Sequence, residues 1–194
     1  MRRSSGLLGM GLGLGLTVLT ALAGPAGGGV ERVFVEPTRV QGLHLLGRAE
    51  FYPDGALEAG TLAEPVELGR ARLPERTLLH LRPDGTPDWC ILPADGLLEG
   101  HLCQGGGHDW MTEFHPDGRL MSAGLARVEW IQGIPCDRGT FWTEVFGGGG
   151  RTCFHPDGGL ARARVARTVQ FQGRTLRRGE HVSLDPAGTL RSVE

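Results

Sequence analysis

The hydrophobic pattern of the 194-residue chain is one of short alternating runs with no long apolar stripe after the leader. In Ala161-Arg162-Ala163-Arg164-Val165 the apolar side chains fall on one side of an extended backbone and the arginines on the other. That period of two is the signature of a strand with one buried face. Runs such as Val128-Glu129-Trp130-Ile131-Gln132 and Thr168-Val169-Gln170-Phe171-Gln172 are equally short, and each stops at a glycine. The pattern predicts many brief strands and frequent turns.

Self-comparison shows that the turns recur. Phe51-Tyr52-Pro53-Asp54-Gly55-Ala56-Leu57, Leu81-Arg82-Pro83-Asp84-Gly85, Phe114-His115-Pro116-Asp117-Gly118-Arg119-Leu120 and Phe154-His155-Pro156-Asp157-Gly158-Gly159-Leu160 share one plan, and Leu184-Asp185-Pro186-Ala187-Gly188-Thr189-Leu190 is a degenerate copy. Counted from the glycines at 55, 85, 118, 158 and 188, the spacings are 30, 33, 40 and 30. A fixed internal period of this length marks a tandem array. Proline presets φ for the first central turn position, aspartate bonds the backbone locally, and glycine tolerates the positive φ that returns the chain. Each Pro-Asp-Gly therefore predicts a turn between antiparallel strands. Asp54, Gly55, Asp84, Gly85, Asp117, Gly118, Asp157 and Gly158 are read as turn residues.

A second marker lies 15 residues after the turn glycine at Gly100, Gly133 and Gly173, with Gly69 one residue short, and Gly106, Gly139 and Gly179 follow six residues after the three that fit. Three short strands per unit are expected: one after Pro-Asp-Gly, one around the Gln-Gly position, and one entering the next Phe-x-Pro. Val33 to Tyr52 reads as a half unit, with Val40-Gln41-Gly42 in the second-strand position. The expected fold is all-β, tandem antiparallel hairpin repeats in about four and a half units near residues 33–53, 54–83, 84–116, 117–156 and 157–194, forming an extended or rolled sheet.

These (Phe/Tyr)-x-Pro-Asp-Gly-x-Leu units resemble the bacterial MORN-like repeats of YwqK-type antitoxin proteins, in which an aromatic strand, an Asn/Asp-Gly turn and a return strand recur. The resemblance covers the hairpin of each unit. It implies an extended β-ribbon that contacts partners, and an antitoxin-like partner role by family analogy.

Ahead of the array, Met1-Arg2-Arg3-Ser4-Ser5 gives a positive start, Leu7 to Leu22 is uncharged, and Ala21-Leu22-Ala23 offers a small-x-small cleavage pattern. Residues 1–23 thus predict a cleavable signal peptide, with 24–32 as a flexible linker and a periplasmic or secreted bacterial location. Gly9, Gly11, Gly13 and Gly15 weaken the alternative, a permanent spanning helix, by ~1 kcal/mol each against alanine. Arg2-Arg3 leaves the general secretory and twin-arginine routes both open.

Aromatic content of 6% and 33 glycines argue against a large conventional core. All 20 basic residues are arginine, and the formal net charge of −2 predicts no nucleic-acid partner. From Asp157 onward seven arginines face four acids. This end is either a patch for an anionic partner or a solvated strand face, and the absence of interleaved aromatics favours the second.

An even count of four cysteines in an exported chain suggests two disulfides. Cys103 and Cys136 occupy equivalent positions in successive units. Cys90 lies in the first strand of the unit holding Cys103, and Cys153 in the third strand of the unit holding Cys136. The expected links are Cys90–Cys103 and Cys136–Cys153. No cysteine pair has zinc-site spacing. His115 with Asp117 and His155 with Asp157 form two His-x-Asp copies, but the aspartate is needed by the turn, and Tyr52, Arg82 and Asp185 replace the histidine elsewhere, as at a solvent-facing position. No metal, cofactor or catalytic set is expected.

Gly105–Gly107 and Gly147–Gly150 read as surface loops, since no phosphate-loop context frames them. Trp142 and Phe146, beside the second run, and Arg162 and Arg164 are the candidate interface residues. The chain is thus expected to be a non-catalytic binding or structural module of the cell envelope, with an unidentified protein or envelope component as partner and no transmembrane segment after cleavage. The alternative is an envelope hydrolase or metal-dependent enzyme on an atypical β scaffold.

Overall fold

The computed structural model describes residues 18–20, 29–107, 110–139 and 150–194. All regular structure among them is strand. β1 (Val18–Thr20), β2 (Val30–Val40), β3 (Leu43–Phe51) and β4 (Leu57–Leu62) lead to a small hairpin of β5 (Val66–Leu68) and β6 (Ala71–Leu73). β7 (Leu78–Leu81) and β8 (Pro87–Ile91) precede a second small hairpin, β9 (Gly96–Leu98) and β10 (His101–Cys103). β11 (Met111–Phe114) and β12 (Leu120–Gly124) precede a third, β13 (Glu129–Ile131) and β14 (Ile134–Cys136). β15 (Arg151–Phe154) and β16 (Leu160–Arg164) precede a fourth, β17 (Val169–Phe171) and β18 (Arg174–Leu176), after which β19 (His181–Leu184) and β20 (Leu190–Val193) close the chain.

Eleven strands, from β2 to β20 and omitting the small hairpins, pair antiparallel in chain order into one meandering sheet, and β1 lies against β2 at its edge. The expected hairpin-repeat fold is therefore the observed one. Each Pro-Asp-Gly is a three-residue loop. In the first, the Gly55 N–H donates to the Tyr52 carbonyl and the Tyr52 N–H to the Ala56 carbonyl, and Arg82, His115, His155 and Asp185 repeat the arrangement. Glycine supplies the positive φ, +87° at Gly55, and the pairing register shifts at the start of each return strand.

Two features differ from expectation. Each unit has four strands, because the Gln-Gly position is the turn of a small hairpin and not the middle of a strand. Gln132 (φ +50°) and Gly133 (φ +84°) both adopt left-handed backbone between Ile131 and Ile134, a type I′ turn, as do Glu99-Gly100, Gln172-Gly173 and Gln41-Gly42. At the first small hairpin the loop is Gly69-Arg70, with positive φ at Gly69 only, as in a type II′ turn. The loop occupies the same place in every unit; glycine has moved from its second to its first position, which is why Gly69 falls one residue short. Second, β2 begins at Val30, inside the stretch read as a linker, and its turn at Gln41-Gly42 joins two long sheet strands. The segments 1–17 and 21–28, which hold most of the expected signal peptide and its cleavage position, lie outside the described residues.

Along the sheet strands burial alternates. Leu79 and Leu81, Thr112 and Phe114, Thr152 and Phe154, and Val182 and Leu184 are buried, while the residues between them are half-exposed. The buried set forms one cluster with small-hairpin residues Leu73, Leu98, Ile134 and Leu176. The hairpins therefore form a second layer over one face of the sheet, and the core lies between them. Each fully buried leucine contributes roughly 1.5–3 kcal/mol, so the repeated leucines, not the few aromatics, supply most of the cohesion.

Candidate functional site

The residue before each Pro-Asp-Gly reaches into the next unit. Tyr52 Oη donates to the Leu81 carbonyl at 2.7 Å, Arg82 Nη2 to Phe114 at 2.7 Å, His115 Nε2 to Phe154 at 2.9 Å, and His155 Nε2 to Leu184 at 2.9 Å. In every case the acceptor is the residue just before the equivalent donor of the following unit. This corrects the solvent-facing reading of the position. Tyrosine, arginine and histidine alternate there because each is a long side chain with a hydrogen-bond donor at its tip. Asp185 has no such donor; it caps its own turn by accepting the Thr189 N–H, and Arg191 lies 2.9 Å away. The ladder ends at that residue.

The aspartates of the turns are equally committed. Asp54, Asp84, Asp117 and Asp157 accept the N–H two residues on, at 2.8–3.1 Å, and the Thr86 hydroxyl and N–H hold the Asp84 carboxyl below its usual range. The His-x-Asp copies are thus structural ties. Among the described residues no three or more His, Cys, Asp or Glu side chains converge as a metal-ligand set.

Hairpin tips are fastened to the turns by the same economy of side chains. The amides of Gln41, Gln132 and Gln172 accept the N–H of Leu57, Leu160 and Leu190, two residues past a turn glycine, and Glu99 accepts that of Leu120. The tips of the last three small hairpins are thereby tied to the turn of the following unit.

All four cysteines are free thiols. Cys90 takes the place held by Gly60, Ala123 and Ala163, five residues past the turn glycine, where only a small side chain fits beneath a hairpin. Cys103 and Cys136 take the place of Leu73 and Leu176, and all four of those side chains are fully buried. The Cys103 and Cys136 thiols donate to the carbonyls of His101 and Ile134. Burial pushes Cys90, Cys103 and Cys136 up to about 12. The expected Cys136–Cys153 link is contradicted by the pleat: Thr152 and Phe154 face the core, so Cys153 points to the opposite face, beside Ser122 and Arg162. Cys90 and Cys103 do share one core, unlinked. These residues behave as small apolar side chains.

Arg162 is exposed on the uncovered sheet face, whereas Arg164 is drawn into an ion pair with Asp137 at 3.0 Å and is no free contact residue. Trp142 and Phe146 lie outside the described residues. On the uncovered face Ser122 Oγ donates to Glu113, and Arg151 Nη2 donates to Ser122 Oγ at 2.6 Å and lies 3.1 Å from Glu113. A carboxylate already neutralised by arginine is a poor base for the hydroxyl, so the trio is a cross-strand tie. Pairing of residues from three separate strands hid it from the sequence.

The outer surface of the hairpin layer carries a feature that the alternation along the chain did not reveal. The middle residues of the leading hairpin strands are Glu67, Leu97, Trp130 and Gln170, and their cross-strand partners are Arg72, Leu102, Pro135 and Thr175. The central two hairpins are apolar outside and the flanking two polar. Leu97 is 65% exposed and Trp130 56%, and the Arg167 guanidinium lies over the Trp130 ring at 5.4 Å. An indole covered on one side by Arg167 and an exposed leucine at the equivalent place on the adjacent hairpin, bounded by polar hairpins, are suited to contact and not to chemistry.

No family model, curated protein or solved structure matches the chain.

Proposed function

We propose that this protein is a non-catalytic binding module of the bacterial cell envelope, and that it holds a protein partner against the outer surface of its small hairpins. The observation that carries the reading is the exposed Leu97–Trp130 pair at equivalent places on adjacent hairpins. Interface energy concentrates in such aromatic anchors, and each residue here stands on a hairpin whose tip is tied to the next unit by Glu99 or Gln132. The histidines and aspartates that a catalytic reading would need are engaged in the ladder and the turns. Export rests on the leader pattern of residues 1–23, and a partner-contacting ribbon also agrees with the MORN-like resemblance.

Immobilised protein should capture the same envelope component from wild-type extract repeatedly, and Trp130→Ala with Leu97→Ala should reduce capture on the order of tenfold or more. Equal capture by the double variant would remove the hairpin surface from the account.

A further inference from the structure

The hairpins meet at three junctions, and the chain seals them differently. At the junction of the second and third, Glu129 of β13 reaches back to β10: its Oε1 accepts the Leu102 N–H at 2.9 Å, and its Oε2 lies 3.1 Å from His101 Nδ1. Leu102 is two residues past its turn, opposite Leu97 in a pair whose N–H groups point away from their own hairpin. At the junction of the third and fourth, the equivalent of Leu102 is Pro135, which has no N–H, and the equivalent of Glu129 is Val169. The acid is absent where the donor is absent.

At the first junction donor and acid are mismatched. Arg72 occupies the Leu102 place and keeps its N–H, while the Glu129 place, eleven residues past the turn glycine, is Gly96. Among the described residues nothing accepts the Arg72 N–H. A cavity of about 370 Å³ opens there, bordered by Arg72, Gly96 and Asp95 and walled by leucines and prolines that include Leu92, Pro93 and Leu97.

We infer that this notch binds a medium-chain fatty acid, its carboxylate taking the place that the Glu129 carboxylate fills one junction later and its chain lying among the leucines and prolines. The exposed Arg72 guanidinium at the mouth adds the matching charge, while the Asp95 carboxylate on the same rim is engaged by the Gly105 N–H at 3.0 Å. Proline walls offer no N–H to a peptide backbone, which favours an acyl chain over a peptide terminus. A volume of this size is in the range of small-molecule sites. Leu97 lines the notch and Trp130 does not, so the single Trp130→Ala variant separates loss of partner capture from loss of acid binding.

Calorimetry of the purified chain with sodium octanoate should give one saturable site, with octan-1-ol at least about tenfold weaker because it brings no anion to the donors. Gly96→Glu should abolish binding, since the new side chain supplies the carboxylate internally; its Cβ meets only the Leu92 Cδ1 closely, at 3.2 Å. Arg72→Pro, which reproduces Pro135, should also abolish it. Absence of saturable octanoate binding, equal binding of octanol, unchanged binding in folded Gly96→Glu and Arg72→Pro, or tighter binding of a leucine-terminated peptide would overturn the proposal.

Discussion

His115 Nε2 donates across the sheet to the Phe154 carbonyl at 2.9 Å, and the same bond is made in other units by tyrosine, arginine and a second histidine. The shared requirement is a donor at a fixed reach. His115→Phe, which keeps the ring and loses the donor, should lower unfolding free energy by about 1 kcal/mol, whereas His115→Arg, as in the unit of Arg82, should lie close to wild type. Urea denaturation of both variants checks this, and equal stabilities would remove the ladder as a source of cohesion.

The thiols offer a chemical count. Unfolding the non-reduced protein should expose four titratable thiols to a disulfide reagent, while the folded protein should react slowly at Cys90, Cys103 and Cys136, whose burial keeps them protonated at neutral pH. A count of two or none after unfolding would contradict the free-thiol arrangement.

The same burial sets an alkaline limit. A thiol raised in the fold from 9.0 to about 12 leaves the unfolded chain free to lose its proton first, so stability is intact below pH 9 and declines as pH rises from 9 toward 12. The chain contains no lysine and one tyrosine, so few other side chains titrate there. Melting temperature should fall through this window, and replacing Cys103 and Cys136 by leucine, as in Leu73 and Leu176, should flatten the fall. An unchanged slope would place its origin elsewhere.

Gly69 and Gly133 separate two causes of glycine preference. Both have positive φ, but a Cβ at Gly69 would lie 3.1 Å from the Gly118 Cα, while at Gly133 the nearest contact is Phe171 at 3.8 Å. Gly133→Ala should cost about 1–2 kcal/mol for its left-handed backbone alone, and Gly69→Ala more, since packed backbone cannot move aside. Denaturation midpoints of the two variants decide it.

Much of the architecture was legible because turn chemistry is local. Pro-Asp-Gly acts through the φ of its own residues, so its spacing located the sheet hairpins before any packing was known, whereas Gln-Gly was read as part of a strand because its type I′ turn is visible only in the backbone angles of Gln132 and Gly133. The one-residue offset of Gly69 was visible as a number; its cause, a change of turn type, required backbone angles. The donor ladder was hidden because Tyr52, Arg82 and His115 share a bond and no side-chain type. Cys136 and Cys153 looked like neighbours because counting along a unit gives proximity without telling which face of the pleat each side chain takes. The exposed pair Leu97 and Trp130 was obscured by its surroundings, since the flanking Leu98 and Ile131 are buried and nothing in the runs themselves distinguishes inner from outer apolar positions.

On the proposed function the hairpin surface, not the uncovered sheet face, meets the partner, and site-specific photocrosslinking in the producing cell distinguishes the two faces. A photoreactive residue at position 130 should yield one discrete adduct, and the same residue at the exposed position 162 on the opposite face should yield none. An adduct from position 162 with none from position 130 would contradict the account.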